Sequence, residues 1–425
     1  MGQDLAGANP FRHQLYRSDR PTTPYELLPA GLPADPASAE FHDRLAAAGA
    51  VLGQAGVVAV FCVHGTFAGN DALGLMTEMA RVMPSLSKTL SQFGKQTVDL
   101  LAGEMGNYTP AYMATMEAGL SAGAGRPISV RPFNWSSQNN HIGRADGAVR
   151  LLAELAELAS SLADPPPSSA KGGPNHLPPR VVLWGHSHAG NLFALLTNLL
   201  AANRAARKQF FQAARCFYRK SWTGRVDMPA WSHAEQLLRE KPETVPHKVF
   251  PESHGEPTRS ASALRRLELD VITFGTPIRY GWSPNGYARL LHFVHHRPLP
   301  DRSDYLAPYP LDPLPMLKGA EGDYVQQIGI AGTNFCPNLL AWRTVVSDWR
   351  LGKLLERNLP RERFLQRVRR GMRVPDAGQT LLVDYPDRAT PVHRRLLGHA
   401  VYTRMRWLPF HLEQVVKHCY EAGVP

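Results

Sequence analysis

Cysteine is scarce in this chain of 425 residues: Cys62, Cys216, Cys336 and Cys419 are scattered, with no C-x-x-C spacing. That excludes a thiolate metal centre and a disulfide framework, and the four read as reduced, buried thiols. No apolar run reaches the roughly 18 residues that a membrane-crossing helix requires. Residues 1–10, MGQDLAGANP, lack the basic-then-apolar layout of a secretory leader. The expectation is a cytoplasmic protein, with export by a route that uses no cleaved signal as the alternative. Acidic residues are also short, with 36 Asp and Glu against 47 Lys and Arg, for a formal net charge of +11 at pH 7. Such a surplus suits anionic surfaces such as phospholipid headgroups or nucleic acid. With 44% hydrophobic and 20% charged residues, the chain can still bury a sizeable core. It shows no internal repeats.

Short apolar runs alternate with longer stretches of helical spacing. Residues 1–38 read as an irregular arm and 40–52 as a helix. A first strand follows at 57–63, a helical stretch at about 73–118, a strand at 128–135 and a helix at 142–162. Pro132 predicts a bulge or an early end in the second of these strands. Residues 164–174 are rich in Pro, Gly and Ser and read as a surface loop. Further strands are expected at 181–184, 269–274, 290–297, 324–331 and 380–385, with a closing helix at 407–420. Strands alternating with helices predict a mostly parallel sheet covered on both faces.

Two stretches depart from this rhythm. After the helix that ends near Arg207, residues 208–266 form an insertion carrying Phe210, Phe211, Phe217, Tyr218, Trp222 and Trp231 among basic residues. They are either the core of a small helical cap or a lid over an acyl-binding cleft. Residues 339–373 are helical and basic, from Arg343 through Arg350, Arg357 and Arg367 to Arg373. That run is either a solvated face or a seat on an anionic membrane or another acidic partner.

The chain is organised around RVVLWGHSHAG at 180–190. A buried strand leads to Gly185-His186-Ser187-His188-Ala189, and apolar helical spacing resumes after Gly190. This layout lifts a serine hydroxyl above the sheet on a strained turn, with the N-terminus of the next helix aimed at it. Ala189 stands where the usual G-x-S-x-G pattern has its second glycine, and is small enough for the turn. With the His64-Gly65 turn and the Thr273-Phe274-Gly275-Thr276-Pro277 turn, the chain resembles the α/β-hydrolase superfamily, and within it the lipases and esterases. The resemblance covers about 57–402. It implies a mostly parallel central sheet flanked by helices, with a helical cap or lid insertion, over 39–425. It also implies that Thr66 or Phe67 supplies one oxyanion donor and the N–H of His188 the other.

A serine hydroxyl needs an imidazole to take its proton and a carboxylate to orient that imidazole. In the superfamily the chain order is Ser, acid, His. His399, in a Gly-containing loop after the last strand, is the expected base, and His393 is its nearest competitor. For the acid, Asp301 is preferred to Asp384, because it follows the strand that carries the Asp in class 3 lipases. The matching position itself is Pro298. His186 is expected to pack beneath the turn and His188 to line the cleft. The i, i+2 spacing of this pair makes a poor metal site, and no metal or cofactor is expected.

The expected activity is hydrolysis of carboxylic esters, lipid or other apolar acyl esters, through an acyl-Ser187 intermediate. Peripheral contact with an anionic membrane is expected and nucleic acid is not. A thioesterase or small-molecule esterase would carry the same residues. The other classes are a toxin-like phospholipase and a non-catalytic hydrolase-fold protein that binds an acidic partner.

Overall fold

Strands buried on both faces read as near-continuous apolar runs, and the central strands of this protein do so. The computed structural model describes residues 11–12, 20–65, 106–163, 177–219, 226, 228–239, 259–330, 334, 341–357, 371–386 and 390–421. Among them, seven strands make one sheet: β1 (Tyr25–Pro29), β2 (Val57–Val63), β3 (Ser129–Phe133), β4 (Arg180–His186), β5 (Glu268–Phe274), β6 (Arg289–His295) and β7 (Gln379–Asp384). Their order is β1-β7-β6-β5-β4-β2-β3, and every neighbouring pair is parallel. The protein is therefore a parallel α/β fold.

Side-chain alternation sorts the strands between two cores. Ala59, Phe61, Val63, Val181 and Leu183 face one way, into a layer with α3 (His141–Ala163) and α4 (Ala189–Ala201). Val60, Cys62, Val182 and Trp184 face the other. There they meet α1 (Ala39–Gln54), α2 (Pro110–Ala124) and α11 (Leu408–Val415). Ser38 caps α1 by accepting the N–H of Phe41, and Thr109 caps α2 by accepting that of Tyr112. At the N-terminal end of the sheet, buried Asp270 receives a bidentate pair from Arg180, 2.9 Å on each side.

Connectivity marks one place on the sheet. From β2 the chain steps outward to β3 and then returns to β4 on the opposite side of β2. The crevice beyond the carboxyl ends of β2 and β4 is thus the topological switch point, where ligands bind in open parallel sheets. His64-Gly65 and Ser187 follow directly from those two strands.

Several expectations need correction. The arm at 1–38 is not wholly irregular, since β1 pairs with β7 from Tyr25↔Thr380 to Pro29↔Asp384. Residues 324–331 were expected to be a strand, but Tyr324–Ile330 is helix α9, because Asp323 caps its first turn by accepting the N–H of Gln326 at 2.8 Å. The helix after Ser187 stops at Ala201, where Asn203 starts α5 (Arg204–Tyr218) by capping Ala206. The basic stretch 339–373 is helical over α10 (Trp342–Leu355), whereas Gly371 to Arg373 is not. Strand β3, at the sheet edge, ends at Phe133, one residue after Pro132, which is the early end that this proline predicts.

Within the insertion, α5, α6 (Pro229–Arg239) and α7 (Arg259–Arg265) are helical. Trp231 stacks on Phe210 and on Tyr218, and its Nε1–H donates to Asp146 of α3 at 2.7 Å. These aromatics are core. Trp222 lies outside the described residues, as does most of the expected helical stretch 73–118.

Candidate functional site

Ser187 occupies the tip of the turn between β4 and α4 with φ 55°, a left-handed conformation that costs a non-glycine residue energy and is held by its surroundings. Its N–H donates to the Phe274 carbonyl at 2.8 Å, and its carbonyl accepts the Thr276 hydroxyl at 2.7 Å. Both clamps come from the TFGTP turn. A methyl group on Gly190 would overlap the Thr276 side chain, so the glycine displaced by one position has its own packing reason. Ala189 is fully buried. His188, the residue before α4, makes no side-chain cap, and its N–H has no acceptor among the described residues.

Gly65 brings the end of β2 over this turn. A Cβ on Gly65 would lie 2.6 Å from that of Ser187 and 3.3 Å from its Oγ, so only glycine permits the approach. The Gly65 carbonyl is tied back by the Ser137 hydroxyl at 2.9 Å. Thr66 and Phe67, the expected oxyanion donors, lie outside the described residues.

His399 sits in a 3-10 turn (His399–Thr403) after β7. Its ring centre is 4.4 Å from that of His186, the residue preceding Ser187. His399 Nδ1 is 2.6 Å from Asp323 Oδ2. An ionised carboxylate can only accept, so Nδ1 carries a proton, and in the neutral ring Nε2 then keeps its lone pair. That Nε2 is buried with no partner among the described residues.

Asp323 is fully buried. Burial works to protonate it, but the facing His399, the Gln326 N–H and the Arg373 guanidinium outweigh burial and hold its carboxyl below the usual range. The Tyr402 hydroxyl adds a third donor at 2.9 Å, and itself accepts the His295 N–H at 2.7 Å. Gly275, at φ 58°, makes room: a Cβ there would lie 2.5 Å from both Asp323 Oδ2 and the Tyr402 ring. Arg373, expected on a basic helical run, is buried and donates to the Asp323 carbonyl and to Gln326 Oε1.

The carboxylate on His399 is therefore neither of the two expected. Asp301 is exposed. Asp384 forms an ion pair with Arg297 at 2.7 Å, because β7 ends beside β6 and Arg297 follows that strand by two residues. The sequence does hold a signal for Asp323: Asp323 with Gln326 three residues on is a capping-box spacing. The alternation of Tyr324, Val325, Ile328 and Ile330 hid it. For His393, the side chain lies outside the described residues.

His186 packs beneath the turn as expected, with Nδ1 3.1 Å from the Gly106 carbonyl and Nε2 3.1 Å from the His399 carbonyl. Burial and the neighbouring His399 push its pKa down to about 3, so it is neutral. Among the described residues no group of three or more His, Cys, Asp or Glu side chains could hold a metal ion. No helix of the described residues is long and apolar enough to cross a membrane. Comparison with protein-family models, curated proteins and solved structures gives no match to this chain.

Proposed function

We propose that this chain is an α/β-hydrolase-type serine hydrolase that cleaves carboxylic esters, with Ser187, His399 and Asp323 as its nucleophile, base and acid. The observation that carries this reading is the His399–Asp323 contact: a buried ionised carboxylate on Nδ1, an unpartnered Nε2, and the imidazole packed against the residue before a strained serine. A scaffold that only binds a partner has no use for that arrangement. Chain order, Ser then acid then His, also fits the superfamily.

In this reaction His399 Nε2 takes the Ser187 proton as Oγ attacks the ester carbonyl. The oxyanion is met by the His188 N–H at the open start of α4; Thr66 or Phe67, outside the described residues, is the second donor that the resemblance implies. Collapse expels the alcohol, which takes the proton back from His399. Water, activated by the same imidazole, then releases the acid from Ser187. In this reading the surplus positive charge favours an anionic membrane surface.

The test is a chain-length series of p-nitrophenyl esters with fluorophosphonate labelling. Ser187→Ala removes both turnover and labelling. Asp323→Asn lowers kcat by roughly 10⁴-fold, as expected when the orienting carboxylate is lost. Asp301→Asn and Asp384→Asn stay near wild type, the second losing at most about 1 kcal/mol of a part-exposed ion pair. Folded protein that neither labels nor hydrolyses any ester or thioester would remove the assignment.

A further inference from the structure

Behind Ser187 lies a set of buried groups that the hydrolytic steps leave unused. Arg144, near the start of α3, has no exposed surface. Its guanidinium donates to the Tyr280 hydroxyl at 2.9 Å, Asn139 Oδ1 at 2.8 Å and Asn334 Oδ1 at 2.9 Å. All three acceptors are neutral. A guanidinium held in the interior without a carboxylate contact is costly. The nearby carboxylates are engaged elsewhere: Asp348 accepts the Ile142 N–H and Asn334 Nδ2, and Glu356 faces Arg279 at 2.6 Å and His141 at 3.4 Å.

His188, next to Ser187 in the chain, feels the charge of this group. It is only 6% exposed. The Asn191 amide fixes its tautomer, because Oδ1 accepts the Arg279 N–H at 2.6 Å while Nδ2 faces the Pro277 carbonyl at 3.1 Å. The same Nδ2 therefore donates to His188 Nδ1, also at 3.1 Å. With Nδ1 accepting, the proton of the neutral ring is on Nε2. Burial, then the charges of Arg144 and Arg279, hold His188 well below the ordinary histidine range, so it stays neutral. Its Nε2–H is a donor with no acceptor among the described residues, set one residue from Ser187 in a positive field.

Resting on the serine-hydrolase reading, we infer that the ester cleaved here carries an anionic group, a carboxylate or a phosphate, which accepts the His188 Nε2–H in the field of Arg144 and Arg279. A free acid and a lipid phosphate share this chemistry. The group gains a hydrogen bond from a largely buried side chain and brings negative charge near a guanidinium whose acceptors among the described residues are all neutral. A neutral ester of the same length gains neither.

The experiment compares kcat/KM of the full chain for three p-nitrophenyl esters of similar length: butyrate, hemiglutarate and 4-phosphonobutyrate. At least one anionic ester is expected to exceed butyrate by about tenfold or more, as a site built around polar groups discriminates against a substrate that leaves them unpaired. Which one leads separates carboxylate from phosphate. Arg144→Gln and His188→Phe should each bring that ratio towards one. If Arg144→Gln does not fold, His188→Phe with Arg144→Lys carries the comparison, and fluorophosphonate labelling reports an intact turn. Labelled wild-type protein that cleaves butyrate at least as well as both anionic esters overturns the inference and leaves the hydrolase reading standing. An unchanged ratio in folded variants overturns it too. Absence of labelling and of all turnover sinks both.

Discussion

At Gly275 a single missing methyl group decides whether the acid fits. Asp323 Oδ2 and the Tyr402 ring both press on the space that a Cβ would take, and φ is positive there as well. Gly275→Ala is expected to destabilise the fold by about 1–3 kcal/mol and to lower kcat more than it raises KM, since the displaced carboxylate orients His399. Denaturant unfolding alongside ester kinetics checks this; a variant with wild-type kcat would mean that the carboxylate has room to spare. Ala189 gives the opposite case. Ala189→Gly restores the common G-x-S-x-G pattern, yet it should leave kcat unchanged and cost at most about 1 kcal/mol, because alanine already fits the turn. Of the proposed site, Ser187 and His399 could be picked out in the sequence because the turn chemistry around each is local: small residues flank the serine, and a glycine precedes the histidine. Asp323 was not, since its role depends on β6, the 399–403 turn and Gly275 arriving at one point from three distant stretches. The guanidinium of Arg373 beside it was hidden for the same reason, as nothing in a run of arginines distinguishes the one that turns inward.

At the scale of elements, periodicity located the central strands within a residue or two, because strands buried on both faces leave few other readings. It failed where cap chemistry or edge pairing decided the outcome. β1 is a half-buried edge strand whose only partner among the described residues is β7, so its apolar content is weak. α9 shows strand-like alternation that the Asp323 cap overrides. The insertion was ambiguous between packed cap and lid, and its described helices answer for the aromatic residues. Trp231 is fully buried among Phe210, Phe211, Phe217 and Tyr218, and its indole bonds to α3. Trp231→Ala should therefore cost about 3–5 kcal/mol of stability. Urea unfolding measures it; a loss under about 1 kcal/mol, paired with altered ester kinetics, would mark the aromatics as a mobile cover.

For the whole molecule, histidine is where composition turns into behaviour. The sequence has 17 histidines, and burial lowers the pKa of His141, His186, His188, His292, His295, His296 and His411, to about 3 for His186, His296 and His411 and about 4 for His292. A histidine depressed in the folded state is neutral in both states above its unfolded pKa, near 6.5, where its stabilising contribution is fully present. As pH falls below that value the unfolded chain binds protons that the folded chain refuses, and stability drops until the folded pKa is reached. Each such group loses about 1.4 kcal/mol per pH unit in that window. Asp323 acts in a lower one: its depressed carboxyl stabilises the fold above its unfolded value near 3.9, and that contribution is lost only as pH falls further. Seven histidines acting together can remove several kcal/mol by pH 5.5, a large share of the 5–15 kcal/mol typical of folded proteins. Thermal and urea unfolding between pH 7.5 and 5 should accordingly show stability falling steeply below about 6.5. A flat profile down to pH 5 would mean that these rings already take up protons in the folded protein.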